Sequence, residues 1–198
     1  MLLKGGGILK DKYVLDIFRD RSAIRTLNIL AISITILSFI VFYLLDLFLA
    51  DDSGSALIGM ESFGIIGAVL LVMAILFAII TVHEGIHGLF FKLFNPKGKV
   101  RFGYTSGMFY AAAPGEIFTR RQFMTVILMP FVIITSVLLI MMFTVPHGAY
   151  KYLLALHTGA CAGDFYYIYL IMKHRNMKYV EDTEVGMTMY EGHPADSR

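Results

Sequence analysis

The chain has 198 residues, of which 57% belong to the hydrophobic set and only 16% are charged, with a mean hydropathy of +0.69. No water-soluble domain of this length can hide so many Leu, Ile, Phe and Met residues behind so few charges, so the composition points to an integral membrane protein. The formal net charge is +2 and the Lys and Arg residues fall in separated clusters, which argues against a nucleic-acid partner; the one cysteine, Cys161, excludes a disulfide framework or a cysteine-based zinc cage and leaves a metal to His and carboxylate ligands.

In chain order, residues 1–25 form a cytoplasmic N-terminal segment with Lys4, Lys10, Lys12, Arg19, Arg21 and Arg25, too long and polar for the leader of a cleaved secretory signal. Uncharged apolar runs then predict a membrane domain over 26–175 with four spans at about 26–48, 62–92, 122–146 and 150–173. An acidic Gly/Ser turn, Asp51-Asp52-Ser53-Gly54-Ser55, follows the first span, and a Pro146-His147-Gly148 link precedes the fourth. Between spans two and three, Gly98, Gly103, Gly107, Pro114 and Gly115 punctuate a weak alternation that predicts a β-hairpin, with strands near 100–104 and 108–112. Residues 176–198 form a cytoplasmic tail with a second strand pair near 179–180 and 185–190. The expected fold is thus an all-α polytopic membrane protein with small cytoplasmic β-hairpins.

Orientation follows from the basic residues. Six Lys or Arg precede span one, none lies between spans one and two, six lie from Lys92 to Arg121, one is Lys151 and four lie from Lys173 onward. The positive-inside rule then puts both termini in the cytoplasm.

Span two ends in His83-Glu84-Gly85-Ile86-His87, an H-E-x-x-H sequence in a helical context. Residues four apart share a helix face, so both imidazoles can reach one metal ion while Glu84 is offset toward a water beside it. That is the arrangement for metal-assisted hydrolysis with Glu84 as general base. With six His and six Glu in the chain, such a match arises by chance in about one chain in two hundred of this composition, and two His and a Glu in a membrane helix are costly unless they are used.

A third ligand is expected from another span. Asp164 interrupts the otherwise uncharged fourth run and stands nine residues before Lys173, as His83 stands nine before Lys92; both depths come to roughly 13 Å from the cytoplasmic boundary. Gly159 and Gly163 form a G-x-x-x-G pair, and Gly85 and Gly88 thin span two, which suits close helix approach. His157, Cys161 and Asp164 follow i, i+4, i+7 spacing. His157 is the rival ligand, assigned a supporting role toward substrate or oxyanion because it lies two turns deeper. Cys161 reads as a packing residue, Glu116, Asp182, His147 and His174 as solvated loop groups, and Pro130 as a kink in span three.

With H-E-G-I-H-G ending one span and Gly163-Asp164 within a later one, the chain resembles the zincin peptidase family of bacterial integral membrane proteins and, more distantly, the site-2 protease group of intramembrane zinc metalloproteases. The resemblance covers roughly residues 65–190. It departs from the better-known site-2 proteases in the order Gly163-Asp164 and in having no proline in span four. It implies one Zn2+ per chain held by His83, His87 and Asp164, Glu84 as base, location in the bacterial plasma membrane, and cleavage of membrane-protein or peptide substrates near the cytoplasmic side. If substrate enters as an extended strand, the hairpin offers Tyr110, Ala111, Ala112 and Ala113 as an edge for β-augmentation. Two other readings stay open: a non-catalytic zinc-binding module that serves as an accessory subunit, and a metal or ion carrier, against which spans one and three offer few polar residues.

Overall fold

The computed structural model describes residues 6–9, 12–16, 21–49, 64–105, 108–145, 148–184 and 186–197. The turn at 51–55, His147 and Val185 lie outside the described residues. The elements in order are β1 (Gly6–Leu9), β2 (Lys12–Asp16), α1 (Arg21–Leu49), α2 (Gly64–Phe94), β3 (Arg101–Thr105), β4 (Met108–Ala112), β5 (Ile117–Thr119), α3 (Arg120–Thr144), α4 (Tyr150–Ala160), α5 (Ala162–Lys173), β6 (Tyr179–Thr183) and β7 (Gly186–Tyr190), followed by a 3-10 turn at Pro194–Ser197.

Three helices are long and apolar enough to cross a membrane: Ser22–Phe48, Gly64–Phe94 and Arg120–Thr144. Large apolar side chains stand exposed along the first two, Ile32, Leu37, Ile65 and Leu70 among them, as expected of surfaces that meet hydrocarbon instead of water. The expected fourth span is not one helix. It is divided between α4 and α5, with Cys161 (φ −73°, ψ 7°) capping the first. Gly159 and Gly163 flank the break, and glycine is the residue that least resists departure from helical geometry. The i, i+4, i+7 series His157, Cys161, Asp164 therefore does not run along a single helix.

The chain divides into two compact units, and α1, α2 and α3 each run through both. The first holds residues 1–29, 84–130 and 163–198 and is not all-α: it contains a five-stranded antiparallel sheet in the order β1-β2-β7-β6-β5 and a separate β3-β4 hairpin. The hairpin and the β6-β7 pair match expectation closely; β1, β2 and β5 are additional, and the N-terminal segment is a sheet component. Leu15, Phe91, Phe118, Phe123, Val126, Leu170, Met187 and Met189 form the core of this unit. Gly88 lets the hairpin approach α2, since a Cβ there would meet the Phe102 ring at 2.5 Å and Val100 at 3.5 Å. A Cβ at Gly85 or Gly163 would meet nothing.

The second unit, Leu30–His83 with Phe131–Ala162, is helical in its described residues. Its α1 and α4 segments are joined by an ion pair of 2.5 Å between Lys151 Nζ and Asp46 Oδ2. A Cβ on Gly159 would collide with Thr35 of α1, whose Cα lies 3.2 Å from that position. Gly159 is thus needed for helix approach.

Candidate metal centre

In the first unit, His87 is 5% exposed and has both ring nitrogens engaged. Its Nδ1 lies 3.0 Å from the Val126 carbonyl oxygen on α3. That carbonyl is available because of the sequence four residues on: in an α-helix it would accept the N–H of residue 130, and Pro130 has none. Since a carbonyl can only accept, Nδ1 carries a proton, which leaves Nε2 as the nitrogen that could ligate a metal. Nε2 faces Asp164 Oδ1 at 3.5 Å, Asp164 standing in the first turn of α5. Two ligand atoms on a tetrahedral zinc, each about 2.0–2.1 Å from the ion, are about 3.3 Å apart, so the pair is spaced like two ligands of one cation. A histidine that donates its other N–H to a carbonyl is also the usual support of a metal-binding imidazole. Pro130, which the sequence marks as a kink, is fully buried within a continuous α3.

His83 stands one helical turn before His87 on α2, and Glu84 is half-buried beside it. In the second unit, His83 belongs to another cluster. Its Nδ1 lies 4.0 Å from Cys161 Sγ, which in turn lies 3.9 Å from His157 Nε2. The His83 and His157 rings meet edge to face at 5.7 Å, and Phe131 stacks on His157 at 6.4 Å. His157 is 3% exposed and Cys161 is fully buried. Cys161 is therefore more than packing: its sulfur is the atom common to both imidazoles.

Three groups expected in solvent are structural. Asp182 is 5% exposed, and its Oδ2 accepts the Ala113 N–H at 2.6 Å. Burial pushes its carboxyl up to about 7, against the opposing effect of the N–H bonds from Ala113 and Thr183. Glu116 accepts from Asn95 Nδ2 at 2.7 Å and from the Lys99 N–H at 3.2 Å, fastening the loop after α2 to the turn before β5. His174 is half-buried and stacks on Tyr13 at 4.4 Å; burial, then the charge on Lys173, lowers its basicity. Ala113 lies beyond β4 with its N–H committed to Asp182, so the strand itself offers Tyr110, Ala111 and Ala112. Among the described residues β4 pairs only with β3. Sequence reasoning missed the Val126 carbonyl and the Asp182 anchor; subtracting four from Pro130 would have found the first.

Long apolar helices, an H-E-x-x-H turn and an imidazole that faces a carboxylate define the class: a membrane-compatible protein with side chains that could hold a metal. The comparison with known families agrees. The family described as "Putative zincin peptidase" matches residues 76–179, more than half of the chain, and the chain belongs to it. The match takes in His83, Glu84, His87, Pro130 and Asp164. No curated protein and no solved structure matches the chain.

Proposed function

We propose that this chain is an intramembrane zinc metalloprotease that hydrolyses peptide bonds of membrane-embedded proteins near the cytoplasmic face of a bacterial plasma membrane. The observation that carries this reading is His87, whose Nδ1–H is anchored on the carbonyl released by Pro130 while Nε2 faces Asp164. The proposed ligands are His83, His87 and Asp164. Two imidazoles four residues apart and one carboxylate are a donor set that would suit zinc in a hydrolase. Bound there, zinc supplies the Lewis acidity that polarises a scissile carbonyl and makes water acidic enough to lose a proton near pH 7. Glu84 takes that proton as the water attacks and returns it to the leaving amine, which restores the carboxylate. The Val126 carbonyl keeps His87 in one tautomer throughout. His157 is assigned a hydrogen bond to the substrate or to the developing oxyanion, and β4 receives an extended substrate along Tyr110, Ala111 and Ala112.

Four crossings with both termini in the cytoplasm are supported by parity. Strands β2, β5, β6 and β7 share one sheet and so lie on one side of the bilayer, which requires an even number of crossings between successive members. The pair α1 and α2 separates β2 from β5. Between β5 and β6 there is α3, which needs a return, and the apolar residues 150–173 of α4 and α5 are numerous enough to supply it. The six basic residues between Lys92 and Arg121 put that side in the cytoplasm.

The test begins with elemental analysis, which needs no known substrate. Detergent-purified wild type is expected to carry about one zinc per chain, lost in His83→Ala, His87→Ala and Asp164→Ala and retained in Glu84→Gln and His157→Ala. Cleavage of a membrane-protein library in reconstituted vesicles should then disappear in Glu84→Gln. A folded wild type that takes up no zinc overturns the reading; normal zinc with no cleavage of any substrate leaves an accessory module in its place.

A further inference from the structure

Of the cluster of His83, His157 and Cys161 in the second unit, the hydrolytic reading uses His83 as a ligand and His157 toward substrate, and gives Cys161 no role. One donor atom from each of these three residues lies within 4.8 Å of the others. The two N···S separations, 3.9 and 4.0 Å, lie within a few tenths of an ångström of the about 3.5–3.8 Å that a single cation imposes on a thiolate and an imidazole at ordinary bond lengths. Two of the three side chains are more than nine-tenths buried, and Phe131 closes against His157.

We propose that His83, His157 and Cys161 form a second cation site, selective for a soft monovalent metal ion of the Cu(I) type. The selectivity follows from the donors and from the charge. Thiolate with imidazole favours soft cations over hard ones, and a three-coordinate arrangement with no oxygen ligand gives Mg2+ or Ca2+ nothing to bind. One thiolate and two neutral imidazoles around a monovalent ion have no net charge, whereas a divalent ion would leave a positive charge in an apolar surrounding, where charge is costly. Binding displaces the thiol proton to solvent and changes no oxidation state.

One consequence rests on the proposed function. If His83 is a zinc ligand, its recruitment by the soft cation withdraws it from the hydrolytic set, so copper would inhibit by removing a ligand from the zinc and not by competing with substrate.

The experiment is Cu(I) binding to detergent-purified protein under anaerobic conditions, measured by competition with a colorimetric Cu(I) chelator. X-ray absorption of the loaded protein identifies the ligands. Wild type is expected to bind one Cu(I) with a thiolate sulfur in its shell. That signal can only come from Cys161, the one cysteine in the chain. Cys161→Ser and His157→Ala should each weaken binding at least tenfold, while Asp164→Ala and His87→Ala leave it unchanged. A Cu(I)-loaded wild type without a thiolate ligand overturns the proposal whether or not any variant folds; so does equal loss in Asp164→Ala, which would put copper in the zinc set. Zinc content read in the same samples keeps the two readings apart. Thiolate-bound copper in a protein that never takes up zinc sustains the second site and sinks the protease, and zinc without thiolate-bound copper does the reverse.

Discussion

At the scale of single residues, the site depends on atoms that a motif does not mention. H-E-x-x-H names His87 as a candidate ligand but does not say which nitrogen would serve; the Val126 carbonyl accepts a hydrogen bond from Nδ1–H and so leaves Nε2 for that role. Asp182 is the other case. On β6 its neighbours alternate, Val180 and Asp182 turning inward and Tyr179, Glu181 and Thr183 less so, so a period of two placed it in the core although its charge suggested a loop. Its carboxyl titrates near 3.8 unfolded and near 7 folded. Between those values the native chain keeps a proton that the unfolded chain has lost, so stability falls as pH rises through that window, by an amount on the order of a few kcal/mol. Melting in detergent from pH 4.5 to 7.5 should show a declining midpoint in wild type. In Asp182→Asn, which keeps an amide oxygen for the Ala113 N–H, that decline should flatten. A variant with the full wild-type slope would trace the pH dependence to another group.

At the scale of elements, α3 shows how a helix can be interrupted chemically without being broken. Pro130 leaves α3 continuous yet exposes one carbonyl to a neighbour. Pro130→Ala restores an N–H that competes with His87 for Val126 O, and the expected result is zinc affinity weaker by about 10- to 100-fold with a midpoint of melting no lower than wild type. Chelator competition measures it, and unchanged affinity would mean that the carbonyl does not hold the imidazole. The long helices and the hairpin were legible because their signals are local: apolar runs of sufficient length, and turn residues between alternating segments. The strands β1, β2 and β5 were not, because each is three to five residues long and is specified by partners far away in sequence. Tyr13 pairs with Met189 and Phe118 with Val180, and no periodicity reveals such pairing. The break at Cys161 was hidden for another reason: no proline marks it, and the flanking Gly159 and Gly163 read equally well as small residues for helix packing.

At the scale of the whole molecule, the sheet ties orientation to covalent order. Tags on the two ends of the chain should both be cut by protease in inside-out vesicles and both be protected in right-side-out ones, and a split result would contradict a sheet that unites β2 with β7. The apolar composition anticipated the three helices that are long and apolar enough to cross a membrane. That β1, β2, β5, β6 and β7 unite into a single sheet is a long-range fact that no local signal carries.

The pairing of β2 with β7 also sets a timetable. Lys12 to Asp16 leave the ribosome early, but their partners from Gly186 to Tyr190 are made some 170 residues later. From His87 to Met187 the interval is about 5–20 s at ordinary rates of synthesis. Throughout it the helix with the H-E-x-x-H turn is already made while Asp164 and Asp182 are, for most of the time, not yet translated. On the proposed function, the nascent chain lacks its carboxylate ligand until Asp164 has been made, 77 residues after His87.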